Sequence, residues 1–370
     1  MSAGDGDGEG AWDEALRAHV YSARYRPNNA DAARVILATA VPLAALYGAL
    51  AMAGPWMGAK LAIGGGSAPL SSVAAMVVTF TLLVLARAAL FVRSFMLLHD
   101  AGHGALFPSP ALNRGATWAL SFLVLTPADW PAKHRRHHGA AGNLAAKDAP
   151  WSDTVFVTSA ERAAMAPLPR ALMDAFRYPP VFLVLAPALV WFFRYRMPVQ
   201  LDTFSGRLAW APHNVVNTLG AALWMAGVYH LAGPLALACE LLAAYVGAAV
   251  GLALFHVQHA YNPADAEGAT AESAAGKRAY GVRENWSARD AGLKGSSHLL
   301  VPGALARYVT LGIEYHHIHH FKTSLPCYKL RACHDEAPEG LWDGVTELGA
   351  RGVWSALWNT RYNESTGLYE

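Results

Sequence analysis

The sequence predicts an all-α integral membrane protein, a helical bundle of about four transmembrane helices with interfacial helices beside them. Three observations lead there. The chain of 370 residues is 54% hydrophobic and 15% charged, with a positive mean hydropathy, whereas a soluble domain carries about 25% charged residues. Several uncharged apolar runs approach the ~20 residues that cross a ~30 Å hydrocarbon core. Histidines gather where those runs end.

Taken in order, Met1 to Gly10 is Gly- and acid-rich, which predicts disorder. It has neither the basic start and apolar core of a secretory signal nor the Arg- and Ser-rich character of a transit peptide. Insertion is therefore expected to rely on the first internal span. Residues Ala11 to Arg34 are polar and could hold a short helix on the membrane surface. The organisation expected is a polar segment over 1–34, a membrane domain over 35–330 and a cytoplasmic tail over 331–370.

The first span is Val35 to Trp56, and a Gly-rich linker leads to the second, Leu70 to about Leu98. Arg87 and Arg93 interrupt its second half, and its length lets its end project from the bilayer. Trp118 to Thr126 is apolar but too short to cross, so it reads as interfacial or re-entrant. Asn143 to Arg177 is a polar, Pro-interrupted excursion. Three apolar runs follow, Val181–Phe193, Val215–Leu231 and Leu235–Phe255. For the histidine groups to share a face, an even number of crossings must separate them. Val181–Phe193 is short, contains Pro187 and is flanked by Pro179, Pro180 and Arg194, so it is the run to discard. The last two then form a hairpin around Gly233-Pro234, giving four spans.

Arg17, Arg24, Arg26 and Arg34 precede span one, while the linker after it carries only Lys60. By the positive-inside rule the N-terminal side and the histidines face the cytoplasm. The near-balance of 29 basic and 27 acidic residues argues against an electrostatic nucleic-acid binder. Three cysteines, Cys239, Cys327 and Cys333, provide no disulfide framework.

The chemistry concentrates in Tyr315 to Phe321, which holds four histidines in five residues. His316, His319 and His320 are helix-spaced, as are His99 and His103, and His134, His137 and His138. Imidazole is the commonest protein ligand for iron, copper, nickel and zinc. Eight such residues exceed the ligand set of one tetrahedral zinc and suit a pair of metal ions. His256 and His259 emerge at the end of the last span on the same face. A solvated basic patch would not demand the same spacing three times. His19, His213, His230 and His334 read as isolated hydrogen-bonded histidines, and His317 as pointing off the common face.

In this order and around paired spans, HDAGHGALF, HRRHHGAAGNL, HVQHAY and GIEYHHIHH resemble the membrane fatty-acid desaturases. The likeness is closest to the Δ12/ω6-type branch. It runs from roughly Ser94 to Leu330 and includes Gly-Ser-Ser at 295–297 and Pro-x-Tyr-x-Leu at 326–330. The resemblance implies a cytoplasmic histidine-box di-iron centre that uses O2. Its implied ligands are His99, His103, His134, His137, His138, His316, His319 and His320, with His259 as the ninth. The sequence departs from the family at His256 and at His298, where aromatic residues are usual. Asp100, Glu314, Asp148 and Asp290 are the carboxylates available to orient ligating imidazoles.

The implied activity is insertion of a double bond into a fatty-acyl chain carried on a membrane lipid, CoA or acyl-carrier protein. No His-Pro-Gly-Gly motif occurs, so the expected electron donor is a separate cytochrome b5 or ferredoxin. The expected location is the endoplasmic reticulum in a eukaryote, and otherwise a bacterial inner or plastid membrane. Two other classes compete. A hydroxylase, ketolase or acetylenase would keep the same boxes, and only its products differ. A metal transporter would place ionisable groups near the bilayer midplane, whereas these histidines lie at span ends and in loops.

Overall fold

The computed structural model describes residues 5–63, 70–146, 157–201 and 208–370. The described chain is helical almost throughout, with three two-stranded pairings as its only sheets. Helix α1 (Asp5–Val20) begins inside the stretch expected to be disordered. Leu16 and Val20 are buried together with Leu330 and Cys333, so α1 packs on the segment near residue 330.

Helices α2 (Asn29–Ile63) and α3 (Leu70–Gly102) are the first two spans. Short helices α4 (Pro110–Leu123) and α5 (Trp130–His138) follow on the side where α3 ends. The polar excursion forms α6 (Ser159–Ala164) and α7 (Pro167–Arg177). Helix α8 (Pro179–Pro187) continues as a π-helical stretch to Phe193 and a turn to Arg196. It turns by 87° from α7, a break set by Pro179 and Pro180, whose rings end the preceding helix.

Helix α9 (Pro212–Val257) runs for 46 residues, but Gly233 takes a φ of 86° that only glycine adopts readily. The chain folds back there. Trp224 Nε1 donates to Glu240 Oε1 at 3.2 Å, although residues 16 apart in a straight helix lie ~24 Å apart. The two limbs of α9 are thus a hairpin and supply the third and fourth spans. Leu70, Val77, Leu82, Leu219, Leu223 and Leu231 stand exposed on these helices, a lipid-facing surface of the kind a soluble protein hides.

The remaining elements are short. They are α10 (Ala271–Ala274), α11 (Ala288–Leu293), α12 (Gly303–Thr310), α13 (His316–Phe321), α14 (Cys327–Asp335) and α15 (Ala350–Leu357). The segment after residue 330 is packed rather than loose. His19 Nε2 lies 2.6 Å from the Cys333 carbonyl, and the Tyr25 hydroxyl donates to Glu336 at 2.7 Å.

The arginines of α3 do not reach water. Arg87 is wholly buried and forms a two-point pair with Glu240 at 2.5 and 2.6 Å, to which the Tyr47 hydroxyl adds a bond of 2.7 Å. This cluster joins α2, α3 and both limbs of α9. Arg93 donates to Thr39 and lies over the Tyr308 ring. Removing one member of a buried pair leaves an uncompensated charge, which costs about 3–5 kcal/mol. Glu240→Ala is therefore expected to lower the melting temperature of the detergent-solubilised protein sharply, and Arg87→Met with Glu240→Leu to recover most of the loss. Equal melting of Glu240→Ala and wild type would remove this cluster from the account of bundle stability.

Candidate metal centre

The four spans bring their connecting segments to one end of the bundle, and all nine histidines lie there. His99 occupies the last turn of α3 and His103 the turn after it. Helix α5 carries His134, His137 and His138, α13 carries His316, His319 and His320, and His259 follows α9. Helix α5 can press against the end of α3 because Gly102 has no side chain. A Cβ there would lie 2.3 Å from the Pro131 ring.

The nine form two adjacent groups: His99, His103, His134, His138 and His319 in one, and His137, His259, His316 and His320 in the other. Within each group one ring nitrogen per residue lies within 4.8 Å of all the others. The partition follows helix geometry. Residues at i and i+4 stack on one face, so the pairs 99/103, 134/138 and 316/320 each stay together. His137 and His319, off those faces, cross into the opposite group. The groups touch where the His138 and His320 rings lie 4.4 Å apart.

The ring nitrogens converge through Nε2. His138 is 3.2 Å from His134 and 3.0 Å from His319, while His259 is 3.0 Å from His137 and 2.9 Å from His316. Two nitrogens bound to one ion at ~2.0–2.1 Å stand ~3 Å apart at right angles. The donor set therefore fits two metal ions. His103 Nε2 is buried without a hydrogen-bond partner, as a nitrogen facing a shared ion would be.

Burial, and then the neighbouring imidazoles, hold His103, His134, His138, His316, His319 and His320 well below the ordinary histidine range. Burial pushes His259 down to about 4. These rings are neutral at physiological pH, the form that ligates a metal.

Other groups fix the rings. The His259 Nδ1–H donates to the Gly295 carbonyl at 2.7 Å, which leaves the Nε2 lone pair aimed into its group. His99 Nδ1 lies 3.3 Å from Asp100 Oδ1, whose other oxygen accepts from the Cys327 backbone N–H at 2.7 Å. Burial and then Asp100 push the Cys327 thiol well up, so this group is a protonated brace rather than a thiolate ligand. Trp130 stacks on His134 at 4.6 Å and Phe255 packs on His137 at 4.8 Å.

Of the other carboxylates considered from sequence, Asp290 pairs with Lys294, and Glu314 is buried with one oxygen unpartnered. Asp148 lies outside the described residues. His256 contacts the Ala356 carbonyl at 3.1 Å and stands apart from both groups, as does the buried His317. His230 is exposed rather than hydrogen-bonded in a core. The Gly295 carbonyl and the two aromatic plates had no signal of their own in the pattern of histidines.

The fatty acid desaturase family model matches residues 71–346, a stretch that includes all nine histidines. The chain belongs to the fatty acid desaturase family. It is also 26% identical over 270 residues to a fatty acid desaturase from Bacillus subtilis (strain 168), covering 70% of this chain and 67% of that protein. The membership supports a desaturase, hence an oxidoreductase, and the histidine groups give such an enzyme somewhere to hold metal.

Two outcomes follow. Since the folded histidines lie below 6.5 and His259 near 4, the unfolded chain binds more protons between those values, so stability rises with pH across that window. The metal-free protein should keep its melting temperature above pH ~6.5 and lose it progressively toward pH ~4; a flat profile would contradict neutral buried rings. Partners of ligating imidazoles typically matter 10–100-fold. Asp100→Asn should accordingly weaken metal retention by about that factor in a chelator competition.

Proposed function

We propose that this protein inserts a cis double bond into a fatty-acyl chain, most nearly of the Δ12/ω6 acyl-lipid type, with two iron ions and O2. The convergence of nine imidazoles in groups of five and four carries the reading. On it, His99, His103, His134, His138 and His319 hold one iron, and His137, His259, His316 and His320 the other. The bound irons would supply O2 activation, which side chains alone do not provide.

The protein's own part is to hold the rings, exclude water and place the acyl chain. An apolar cavity of about 550 Å³ lies between α7, α8 and the end of α9. Phe182, Leu183, Val190, Leu252 and Phe255 are among its lining. Phe255 also packs on His137, so the cavity closes against the histidines. A hydrocarbon chain suits such a lining. Arg177, whose Nη1 donates to the Thr360 carbonyl, is a charged member of the lining and is suited to the polar head of the carrier.

The histidine face is assigned to the cytoplasm, where a separate cytochrome b5 or ferredoxin delivers electrons. The membrane is the endoplasmic reticulum in a eukaryote and a bacterial inner or plastid membrane otherwise. The test is the fatty-acid methyl ester profile of yeast expressing the protein beside its His316→Ala variant. A new unsaturated acid absent from the variant is expected, and a hydroxy or keto acid would reassign the chain to a sister activity. Ala253→Trp, which fills the cavity, should abolish the product while leaving bound iron at the wild-type level. Unchanged product would remove this cavity from the substrate path.

A further inference from the structure

A third group of side chains able to hold a metal ion lies outside the nine. His298, His334 and Glu347 place one donor atom each within 4.8 Å of the others. His298 and Glu347 face one another in the short parallel pairing of 298–299 with 347–348, and His298 Nδ1 is 3.0 Å from Glu347 Oε1. That separation is close to what two donors on one ion require, since bonds of ~2.0–2.2 Å at tetrahedral angles put them ~3.3 Å apart. His334 comes from the last turn of α14, and its ring lies 4.7 Å from that of His298.

The rings are held in place from outside. Tyr315 stacks on His298 at 4.5 Å and 22°, and Trp342 stacks on His334 at 6.1 Å and 6°. His317 completes the cluster, with its ring 5.4 Å from His334 and 5.8 Å from His298. It is wholly buried and neither of its ring nitrogens has a partner, and buried His334 Nδ1 also lacks one. Buried polar atoms are rarely left so. A water bound to an ion in this cluster would supply the missing partner. Glu347 and His334 line a cleft of about 1030 Å³ through which a hydrated ion can enter, and the Glu347 side chain is 50% exposed to it.

The geometry points to a third metal site, in which His298, His334 and Glu347 bind a divalent transition-metal ion of the zinc type. Two imidazoles and a carboxylate are a zinc donor set that leaves one position for water. The three ligands come from the short strand between α11 and α12, from α14 and from the strand before α15. The ion therefore clamps the C-terminal segment over the histidine end of the bundle. This role is separate from the catalytic reading.

The test measures metals in the full-length detergent-solubilised protein and in the double variant His334→Gln with Glu347→Gln. The wild type should hold about one zinc per chain more than the double variant at equal iron content. Added Zn2+ should raise the melting temperature of the wild type alone. Equal zinc in the two proteins overturns the site. A reading that needs no altered cluster is Co2+ added to the iron-loaded wild type, where a tetrahedral visible band should appear and vanish on addition of Zn2+. Its absence overturns the proposal. The band should survive in His316→Ala, which separates this site from the centre formed by the nine.

Discussion

The rest of this fold answers to the convergence of nine imidazoles at one end of the bundle, most of them buried from water. A protonated ring would be repelled by its neighbours and penalised by burial, and the depressed values at His134, His316 and His320 express both causes. No single helix can present such a set. Three i, i+4 pairs and three further rings must arrive from α3, α5, α13 and the end of α9. That is possible only if the membrane is crossed an even number of times between them. The hairpin at Gly233 is the device that keeps the count even.

The bundle beneath must then be rigid without help from water. Lipid gives helices no hydrophobic reason to associate, so packing and polar contacts carry the load. The Arg87–Glu240 pair, with Tyr47 and Trp224 on the same carboxylate, ties all four spans at one point. Small residues do the rest, as where Ala243, Ala244 and Ala248 are buried in the last limb. Position at the site is thus set by contacts well away from it.

Much of this was legible in the sequence because its signals are local. Runs of apolar residues disclose spans, i, i+3 and i, i+4 spacing discloses which histidines share a face, and Val181–Phe193, set aside by the parity argument, lies in the short element that turns 87° from α7. What was not legible is pairwise and distant. Nothing in the run 235–255 marks Glu240 as the partner of Arg87, 153 residues earlier. The division of the histidines into five and four depends on how α5 and α13 face each other, which spacing within each helix does not specify. Helix α1 was missed from Asp5 to Gly10 because the composition of that stretch favours disorder, whereas its later turns gain tertiary contacts. His334 was read as an isolated residue because its neighbours His298, His317 and Glu347 come from three other segments.

The packing of α1 on α14 has a consequence in time. His19 bonds to the carbonyl of a residue 314 positions later, and Tyr25 to one 311 positions later. Helix α1 therefore waits for a partner made more than 300 residues later. Each histidine group likewise draws rings from both α5 and α13, so neither can be complete until α13 has been made. Spans can enter the bilayer one by one during synthesis, but the two histidine groups can close only once α13 has joined α5. Such late closure of long-range contacts is slow compared with helix formation.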